Sequence, residues 1–260
     1  MRIGVCTRPE SLRSLAGPPG GLDYIECPVG DVLCPREGEA AFESRLAAAR
    51  AAPSPVEAAN GFLPGDLKTT GPEVDVEALD AFVATAMQRA ARIGIRTIVF
   101  GSGASRRVPD GFEIAAAAEQ IVGHLKRWGP VAAARAVTIA LEPLNKAECN
   151  IVTSVDEGAD LVRRAAHPNI RLLVDTYHMA RSNEPPEAIR RSAGLVAHVH
   201  CAEGDGRGPL GTKGEDQRPF FRALKDIGYD GRVSIEAGWQ EFAAQLPAAL
   251  AELRRQIEEA

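Results

Sequence analysis

Residues 138–175 read TIALEPLNKAECNIVTSVDEGADLVRRAAHPNIRLLVD, and this segment is the strongest indicator of the fold class. It holds two short apolar runs, each closed by an acidic residue, Glu142 and Asp175. Between them, residues 155–166 have helical periodicity, and Ser154 with Glu157 three positions later forms a capping-box pattern at the helix start. Continuous apolar strands separated by a helix are typical of a parallel sheet that is covered on both faces.

The same strand–helix unit recurs along the whole chain. Helical segments rich in Ala, Leu, Arg and Glu include residues 76–93, 113–135, 187–191 and 218–227, and Gly94 and Gly228 stand where helices should end. Eight apolar or β-branched runs are predicted as strands, at residues 2–6, 22–27, 56–60, 97–100, 137–141, 171–174, 195–199 and 232–235. Eight such units predict an α/β protein, a single-domain (β/α)8 TIM barrel over residues 1–260.

An open, doubly wound sheet is the alternative architecture. It is disfavoured because the glycine-rich dinucleotide fingerprint is missing after the first strand. Residues 17–21 read GPPGG, and their prolines lack the N–H groups that a phosphate cradle needs. We interpret this segment as a turn before the second strand.

Composition and charge restrict the class of protein. The chain is 45% hydrophobic and 25% charged, as in an ordinary globular domain. Its formal net charge of −5 gives no general attraction to nucleic acids or anionic lipids. No signal peptide is recognisable and no stretch approaches the roughly 18 apolar residues of a membrane span, so we expect a cytoplasmic location and no membrane partner. The five cysteines lack CxxC spacing and are expected to be reduced.

Polar residues close four of the predicted strands. They are Glu142, Asp175, His200 and Glu236. Because the carboxyl ends of barrel strands face one site, these side chains should converge there, and the three carboxylates would repel one another without a cation. A single divalent metal ion is the simplest such cation. Oxygen and nitrogen ligands without thiolate favour Mn²⁺, with Mg²⁺ or Co²⁺ as alternatives, over a structural zinc site.

The histidines differ in their expected roles. His198 and His200 have the same facing parity on one strand, so the pattern alone does not decide which of them reaches the metal. His200 lies nearer the mouth of the barrel, and we interpret His198 as a deeper residue bonded to a neighbouring polar group. His124 and His167 fall in helical or loop segments and are expected at the surface.

The residues at these strand ends resemble those of the xylose isomerase-like barrels of sugar epimerases and isomerases, and in particular the ketose 3-epimerases of the tagatose and psicose type. The matching motifs follow the expected order through the C-terminal half of the chain. They are Glu142-Pro-Leu-Asn145 with Glu148, Val174-Asp175-Thr-Tyr-His178-Met179, His198-Val-His200, and Gly228-Tyr-Asp-Gly231 leading to Ser234-Ile-Glu236.

The resemblance implies a metal-dependent isomerase or epimerase of a ketose or related polyhydroxy carbonyl compound. Glu142 and Glu236 would be metal ligands and also the acid and base, on opposite faces of a substrate that passes through an enediolate. Glu148 and His178 would contact substrate oxygens, and Arg207 would neutralise a developing oxyanion or hold a terminal hydroxyl. Arg207 lies one residue farther from His200 than in the epimerase pattern. A homo-oligomer is left open.

Other functions use the same barrel. Hydroxypyruvate-type isomerisation and an inosose dehydratase-like lyase reaction need the same metal and acid–base pair and differ in the substrate pocket. An abasic-site endonuclease is disfavoured because five histidines and a negative net charge supply neither a multi-metal cluster nor a basic surface. A non-catalytic sugar-binding barrel is disfavoured because both acid–base glutamates are present.

Two loops should face the mouth of the barrel. Residues 203–214 are so rich in glycine that they must be tightly turned or mobile, which suits a cover over the site. Residues 101–107 read GSGASRR, and Arg106 with Arg107 is either an anion-binding pair or a solvated surface pair.

Overall fold

Eight parallel strands close into a barrel in which each strand pairs with its neighbours in chain order. The structure, a computed structural model, describes residues 1–13 and 20–260. The strands are β1 Arg2–Cys6, β2 Tyr24–Pro28, β3 Val56–Asn60, β4 Thr97–Phe100, β5 Thr138–Leu141, β6 Ile170–Asp175, β7 Val196–Cys201 and β8 Arg232–Ile235. Pairing of β1 with β8, which places Ile3 opposite Val233, closes the barrel. The (β/α)8 prediction is confirmed and the open sheet is excluded.

Helices follow the strands and form the outer layer. They are α1 Pro9–Arg13, α2 Val29–Val32, α3 Glu39–Arg50, α4 Val76–Ile93, α5 Gly103–Arg106, α6 Ile114–Ala133, α7 Val155–Ala165, α8 Thr176–Arg181, α9 Glu187–Arg191, α10 Arg218–Asp226 and α11 Phe242–Glu259. Among the described residues, no helix is long and apolar enough to cross a membrane.

The predicted strand boundaries are right for β1, β3, β4 and β8 and short for β6 and β7. The structure continues β6 to Asp175 and β7 to Cys201. The predicted strands end where the apolar pattern meets a polar residue. The backbone hydrogen-bond ladder continues past that residue, because Asp175 pairs with His200 and His200 pairs with Ser234. Asp175 and His200 therefore belong to the strands themselves, whereas Glu142 and Glu236 are the first residues after β5 and β8.

Helix ends follow the local signals in the sequence. The Ser154 hydroxyl accepts a hydrogen bond from the N–H of Glu157 at the start of α7 (3.2 Å). Gly94 ends α4 with a φ of +104°, the left-handed conformation that glycine adopts without a steric penalty. Of the turn predicted at residues 17–21, residues 17–19 lie outside the described part of the chain, and Gly20 and Gly21 form a turn before β2.

The expectation that His124 lies at the surface is wrong. Its side chain is buried on the inner face of α6, stacked on Trp128 with ring centroids 5.2 Å apart. One ring nitrogen lies 3.0 Å from the carbonyl oxygen of Thr69, and burial lowers the pKa of His124 to about 4. His167 is half-buried, because its ring packs directly against Gly129. Positions 124 and 128 are about one helical turn apart, so helical periodicity places His124 on the same buried face as Trp128.

Candidate active site

Four side chains at the carboxyl ends of β5 to β8 meet at the mouth of the barrel. Glu142, Asp175, His200 and Glu236 each offer one ligand atom, and these atoms all lie within 4.8 Å of one another. His200 occupies the centre of the group, with Nδ1 3.3 Å from Glu142 Oε1 and 3.3 Å from Glu236 Oε2. The structure thus brings together the four residues that the sequence singled out, and it is His200 rather than His198 that joins them.

Backbone contacts orient two of these carboxylates. Asp175 caps α8 by accepting a hydrogen bond from the N–H of Tyr177 at Oδ1 (2.8 Å), which leaves Oδ2 toward the group. Glu142 follows β5, where its N–H donates to the carbonyl of Phe100 (3.1 Å). A Cβ atom at Gly101 would lie 2.0 Å from Glu142 Oε2, so only glycine at this position leaves room for the carboxylate.

The fourth carboxylate, Glu236, is held by side chains from other parts of the barrel. Its Oε1 accepts a hydrogen bond from the amide of Asn60 at the end of β3 (3.0 Å). Its Oε2 accepts one from the guanidinium of Arg207 (2.5 Å). Both oxygens of Glu236 are therefore fixed by side-chain donors.

Three buried atoms of the group have no hydrogen-bond partner among the described residues. They are Glu142 Oε1, Asp175 Oδ2 and His200 Nδ1. Leaving a buried polar atom unpaired costs about 1–3 kcal/mol, and such an atom in a native protein is often explained by an ion or water. Two carboxylate oxygens and an imidazole nitrogen that lie within 4.8 Å of one another, with Glu236 beside them, are a suitable donor set for a divalent metal ion.

The pKa values of the group show how strongly its charges interact. Burial raises the pKa of Asp175 to about 6 and also raises that of Glu142. Burial alone would raise the pKa of Glu236 as well, but the positive charges of His200 and Arg207 lower it to about 2. For His200, burial favours the neutral ring, yet the charges of Glu26 and Glu236 raise its pKa well above the usual range. In the protein alone, His200 and Arg207 are thus the cations that offset the carboxylates.

His178 presents a hydrogen-bond donor to the site. Its Nδ1 accepts hydrogen bonds from the backbone N–H (3.1 Å) and the side-chain amide (2.9 Å) of Asn145. Burial lowers the pKa of His178, which favours the neutral ring, and in that ring the proton must then be on Nε2. Nε2 is buried, lies 3.5 Å from Asp175 Oδ2 and has no hydrogen-bond partner among the described residues. Glu148 lies on the outer side of Asn145, whose amide donates to it (2.9 Å).

Arg207 reaches the site although it lies one residue farther from His200 than in the epimerase pattern. Its backbone is left-handed, with a φ of +53°. The carbonyl of Arg207 accepts a hydrogen bond from the N–H of Gly238 (2.8 Å). Its guanidinium lies over the ring of Tyr177, 4.5 Å from the centroid, and 3.6 Å from Glu148 Oε2.

The glycine-rich loop at residues 203–214 is tightly turned. The fully buried carboxylate of Glu203 accepts hydrogen bonds from the backbone N–H groups of Gly211 (3.0 Å), Lys213 (2.7 Å) and Gly214 (3.0 Å). The Glu203 side chain therefore binds three backbone N–H groups near the C-terminal end of the loop. These bonds hold the segment that contains Arg207 in place.

Glu203→Gln is expected to destabilise the protein by about 1–3 kcal/mol, because the amide nitrogen faces at least one backbone donor that it cannot accept from. The free energy of unfolding in urea measures the effect. Asp205→Asn is the matched control, since Asp205 lies in the same loop with an exposed side chain paired to Lys213, and its change should stay below about 1 kcal/mol. Equal stability of the Glu203→Gln variant and the unmodified protein would contradict the role of Glu203.

The interpretation of Arg106 and Arg107 as a solvated pair is wrong for Arg106. Its side chain is fully buried, donates to the carbonyl of Phe100 (2.9 Å) and lies 5.4 Å from the centroid of the Phe100 ring. The same carbonyl accepts the N–H of Glu142, so Arg106 supports the backbone that leads into the site. Arg107 is exposed and donates to the carbonyl of Glu148 (2.9 Å).

Sequence reasoning missed two polar residues at the site, Glu26 and Asn60. Glu26 is fully buried in β2, and its two oxygens lie 2.7 Å from Nε2 of His198 and 2.8 Å from Nε2 of His200. The signal for Glu26 was a single charge inside the otherwise uncharged run YIECP, and for Asn60 a polar residue at the end of β3. The interpretation of His198 as a deep residue bonded to a polar neighbour agrees with its contact to Glu26.

Comparisons with known proteins agree with this architecture. The family described as xylose isomerase-like TIM barrel matches residues 21–259. L-Ribulose 3-epimerase of Methylomonas sp. (strain DH-1) is 34% identical over 117 residues, 45% of this chain and 41% of that protein. D-Psicose 3-epimerase of Ruminiclostridium cellulolyticum is 34% identical over 125 residues, 45% of this chain and 40% of that protein. The matched segments thus span about two fifths of the length of these curated relatives.

A solved structure matches over a longer range. The crystal structure of D-psicose 3-epimerase with D-tagatose from Clostridium cellulolyticum H10 superposes with a TM-score of 0.83 at 20% identity. The superposition covers 99% of each chain. At this identity the likeness establishes a shared fold.

Proposed function

The chain belongs to the xylose isomerase-like TIM barrel family, and from this premise we propose that it is a divalent-metal-dependent isomerase or epimerase of a ketose or related polyhydroxy sugar. One observation carries the proposal. Three buried ligand atoms of Glu142, Asp175 and His200 lie within 4.8 Å of one another and have no hydrogen-bond partner among the described residues. The ketose 3-epimerases among its relatives support the substrate class.

The proposed metal is one Mn²⁺ per chain, with Mg²⁺ or Co²⁺ as alternatives. Its ligands would be Glu142, Asp175, His200 and Glu236. When bound, such an ion polarises a substrate carbonyl and the adjacent hydroxyl, which acidifies the neighbouring C–H bond. The residues of the chain would perform the proton transfers.

Glu142 and Glu236 are proposed as the proton-transferring pair. One carboxylate removes the proton from the carbon next to the carbonyl, and the electron pair of that C–H bond passes into an enediolate. The other glutamate, which is protonated at the start of the step, gives its proton to the opposite face of the same carbon and so inverts its configuration, and proton exchange with water then resets the two carboxyl groups. Both carboxylates lie 3.3 Å from the same atom, His200 Nδ1. They are therefore close enough to each other to contact one small substrate.

The groups at the mouth would orient the substrate. His178 offers an Nε2–H donor, and Glu148 offers a carboxylate that is about one-third exposed. Arg207, stacked on Tyr177, offers a cation to an oxyanion or a terminal hydroxyl. Donors and acceptors in this arrangement suit a substrate with several hydroxyl groups.

We expect the purified protein to bind about one divalent ion per chain, removable by a chelator, because the four residues form one closed ligand group. Elemental analysis before and after dialysis against EDTA, followed by Mn²⁺ titration, measures the stoichiometry. A chain that binds no Mn²⁺, or that binds it equally well after replacement of Asp175, would contradict the site.

Solvent deuterium incorporation tests the reaction before the substrate is identified. The Mn²⁺-loaded protein is incubated in D₂O with a panel of ketoses, hydroxypyruvate and inososes, and products are followed by mass and NMR. Incorporation at the carbon next to a ketose carbonyl, with formation of its epimer or aldose, supports the proposal. Exchange restricted to hydroxypyruvate, or loss of water from an inosose, would replace the ketose reaction with one of those two. No exchange with any compound would overturn the enzyme proposal.

A further inference from the structure

Glu26 contacts the ring nitrogen of His200 that faces away from the four-residue group. Its Oε1 lies 2.8 Å from His200 Nε2, and both side chains are fully buried. We infer that Glu26 is a positioning residue that holds the proton of His200 on Nε2 and thereby keeps Nδ1 free to bind the metal. This inference rests on the proposed function.

The chemistry of the two groups determines the direction of the hydrogen bond. An ionised carboxylate only accepts, so the proton between Glu26 and His200 belongs to Nε2. When a metal ion displaces the second ring proton, Nδ1 supplies the lone pair on the side of Glu142 and Glu236. A histidine ligand commonly donates its second N–H to a carboxylate, which fixes the ring and strengthens the ligand. The thiol of Cys6 is 4.0 Å from the same nitrogen, so Glu26 is the nearer partner.

Glu26 is itself held by donors on two other strands. Its Oε2 accepts hydrogen bonds from His198 Nε2 (2.7 Å) on β7 and from the Ser234 hydroxyl (2.6 Å) on β8. Because the Ser234 proton points to Glu26, the Tyr24 hydroxyl donates to the Ser234 oxygen (2.7 Å). This network leaves the carboxylate little freedom, so its position relative to His200 is set by the barrel.

Cys6, Glu26 and His200 also offer ligand atoms within 4.8 Å of one another. A separate metal at that point would have to replace the Glu26–His200 hydrogen bond, and neither of these two atoms lacks a partner. The arrangement therefore supports a role for Glu26 through His200 rather than a second metal site.

Glu26→Gln tests the inference, because glutamine keeps the shape of the side chain but has only one accepting oxygen. If its NH₂ group faces His200, the ring proton moves to Nδ1 and blocks the metal. If it faces His198, that ring must carry its proton on Nδ1, which has no partner among the described residues. In both arrangements the charged carboxylate that strengthens His200 as a ligand is lost, because a neutral amide oxygen is a weaker acceptor, so Mn²⁺ binding should weaken by about 10–100-fold. Free Mn²⁺ measured by electron paramagnetic resonance gives the affinity.

Activity at different metal concentrations separates positioning from a structural role. In the Glu26→Gln variant, saturating Mn²⁺ should restore most of the turnover, because bound metal selects the ring with a free Nδ1. Glu57→Gln is the matched control: Glu57 is a partly buried strand glutamate that pairs with Arg2 and Arg232 and does not contact His200, so its Mn²⁺ affinity should stay near that of the unmodified protein. A Glu26→Gln variant with a lower Tm but unchanged Mn²⁺ affinity would overturn the inference.

A measurement on the unmodified protein does not depend on whether any variant folds. In ¹⁵N-labelled protein loaded with diamagnetic Mg²⁺, the long-range ¹H–¹⁵N spectrum of His200 should show the proton on Nε2. A proton on Nδ1 would overturn the role of Glu26. Unmodified protein that binds no divalent metal would overturn the proposed function and this role together, whereas equal Mn²⁺ affinity in the Glu26→Gln variant would overturn the role of Glu26 alone.

Discussion

Replacement of Glu142 or Glu236 by Gln is expected to lower turnover by about 10²–10⁴, the usual contribution of general acid–base transfer. Glutamine keeps an oxygen that can bind a metal ion, so much of the Mn²⁺ affinity should remain while the proton-accepting carboxylate is lost. Turnover at saturating Mn²⁺, on a substrate that the unmodified protein converts, measures the effect.

The two variants should also differ from each other. If each glutamate serves one face of the substrate, one variant will exchange a substrate proton with solvent on its intact side without completing the conversion. Deuterium incorporation and product formation are therefore measured separately for both variants. Near-normal turnover in either of them would refute the two-base mechanism and leave metal polarisation, or Glu148 as a base, as the source of catalysis.

Asp175→Ala is expected to weaken Mn²⁺ binding by more than about 100-fold, beyond the 10–100-fold loss that is typical for partners outside the ligand shell. Asp175 ends β6, and its Oδ1 accepts a hydrogen bond from the N–H of Tyr177. The proposed metal ligand is the other oxygen, Oδ2, and the alanine variant has no carboxylate oxygen to replace it. His178→Ala should leave Mn²⁺ affinity nearly unchanged and raise KM, because His178 directs an N–H donor toward the substrate. Calorimetric Mn²⁺ titration and steady-state kinetics separate the two effects.

A substitution at the protein surface serves as the control for the Asp175 and His178 variants. Asp156→Ala removes an exposed aspartate that pairs with Arg191 and should change neither Mn²⁺ affinity nor KM. The assignment of His178 to the substrate would be wrong if His178→Ala removed the metal as thoroughly as Asp175→Ala. Retention of Mn²⁺ by Asp175→Ala would in turn exclude Asp175 as a ligand.

Local sequence signals were sufficient to predict the barrel and four residues of the candidate site. Strand and helix periodicity, the capping serine at position 154 and Gly94 are local signals, because each acts within a few residues of its own position. Parallel strands in one barrel end at the same face, so a polar residue closing an apolar strand could be placed near the others without knowledge of the packing.

The pairing of the buried polar side chains became known from the packing of the folded chain. His198 and Glu26 are 172 positions apart in the chain, and their contact exists because closure of the barrel places β2 within reach of β7. The same holds for Asn60 beside Glu236, which are 176 positions apart. Burial of Arg106 and the left-handed backbone of Arg207 depend on neighbouring loops. Pattern and propensity report which face of an element is buried, whereas the partner of a buried charge is fixed by the packing of distant strands.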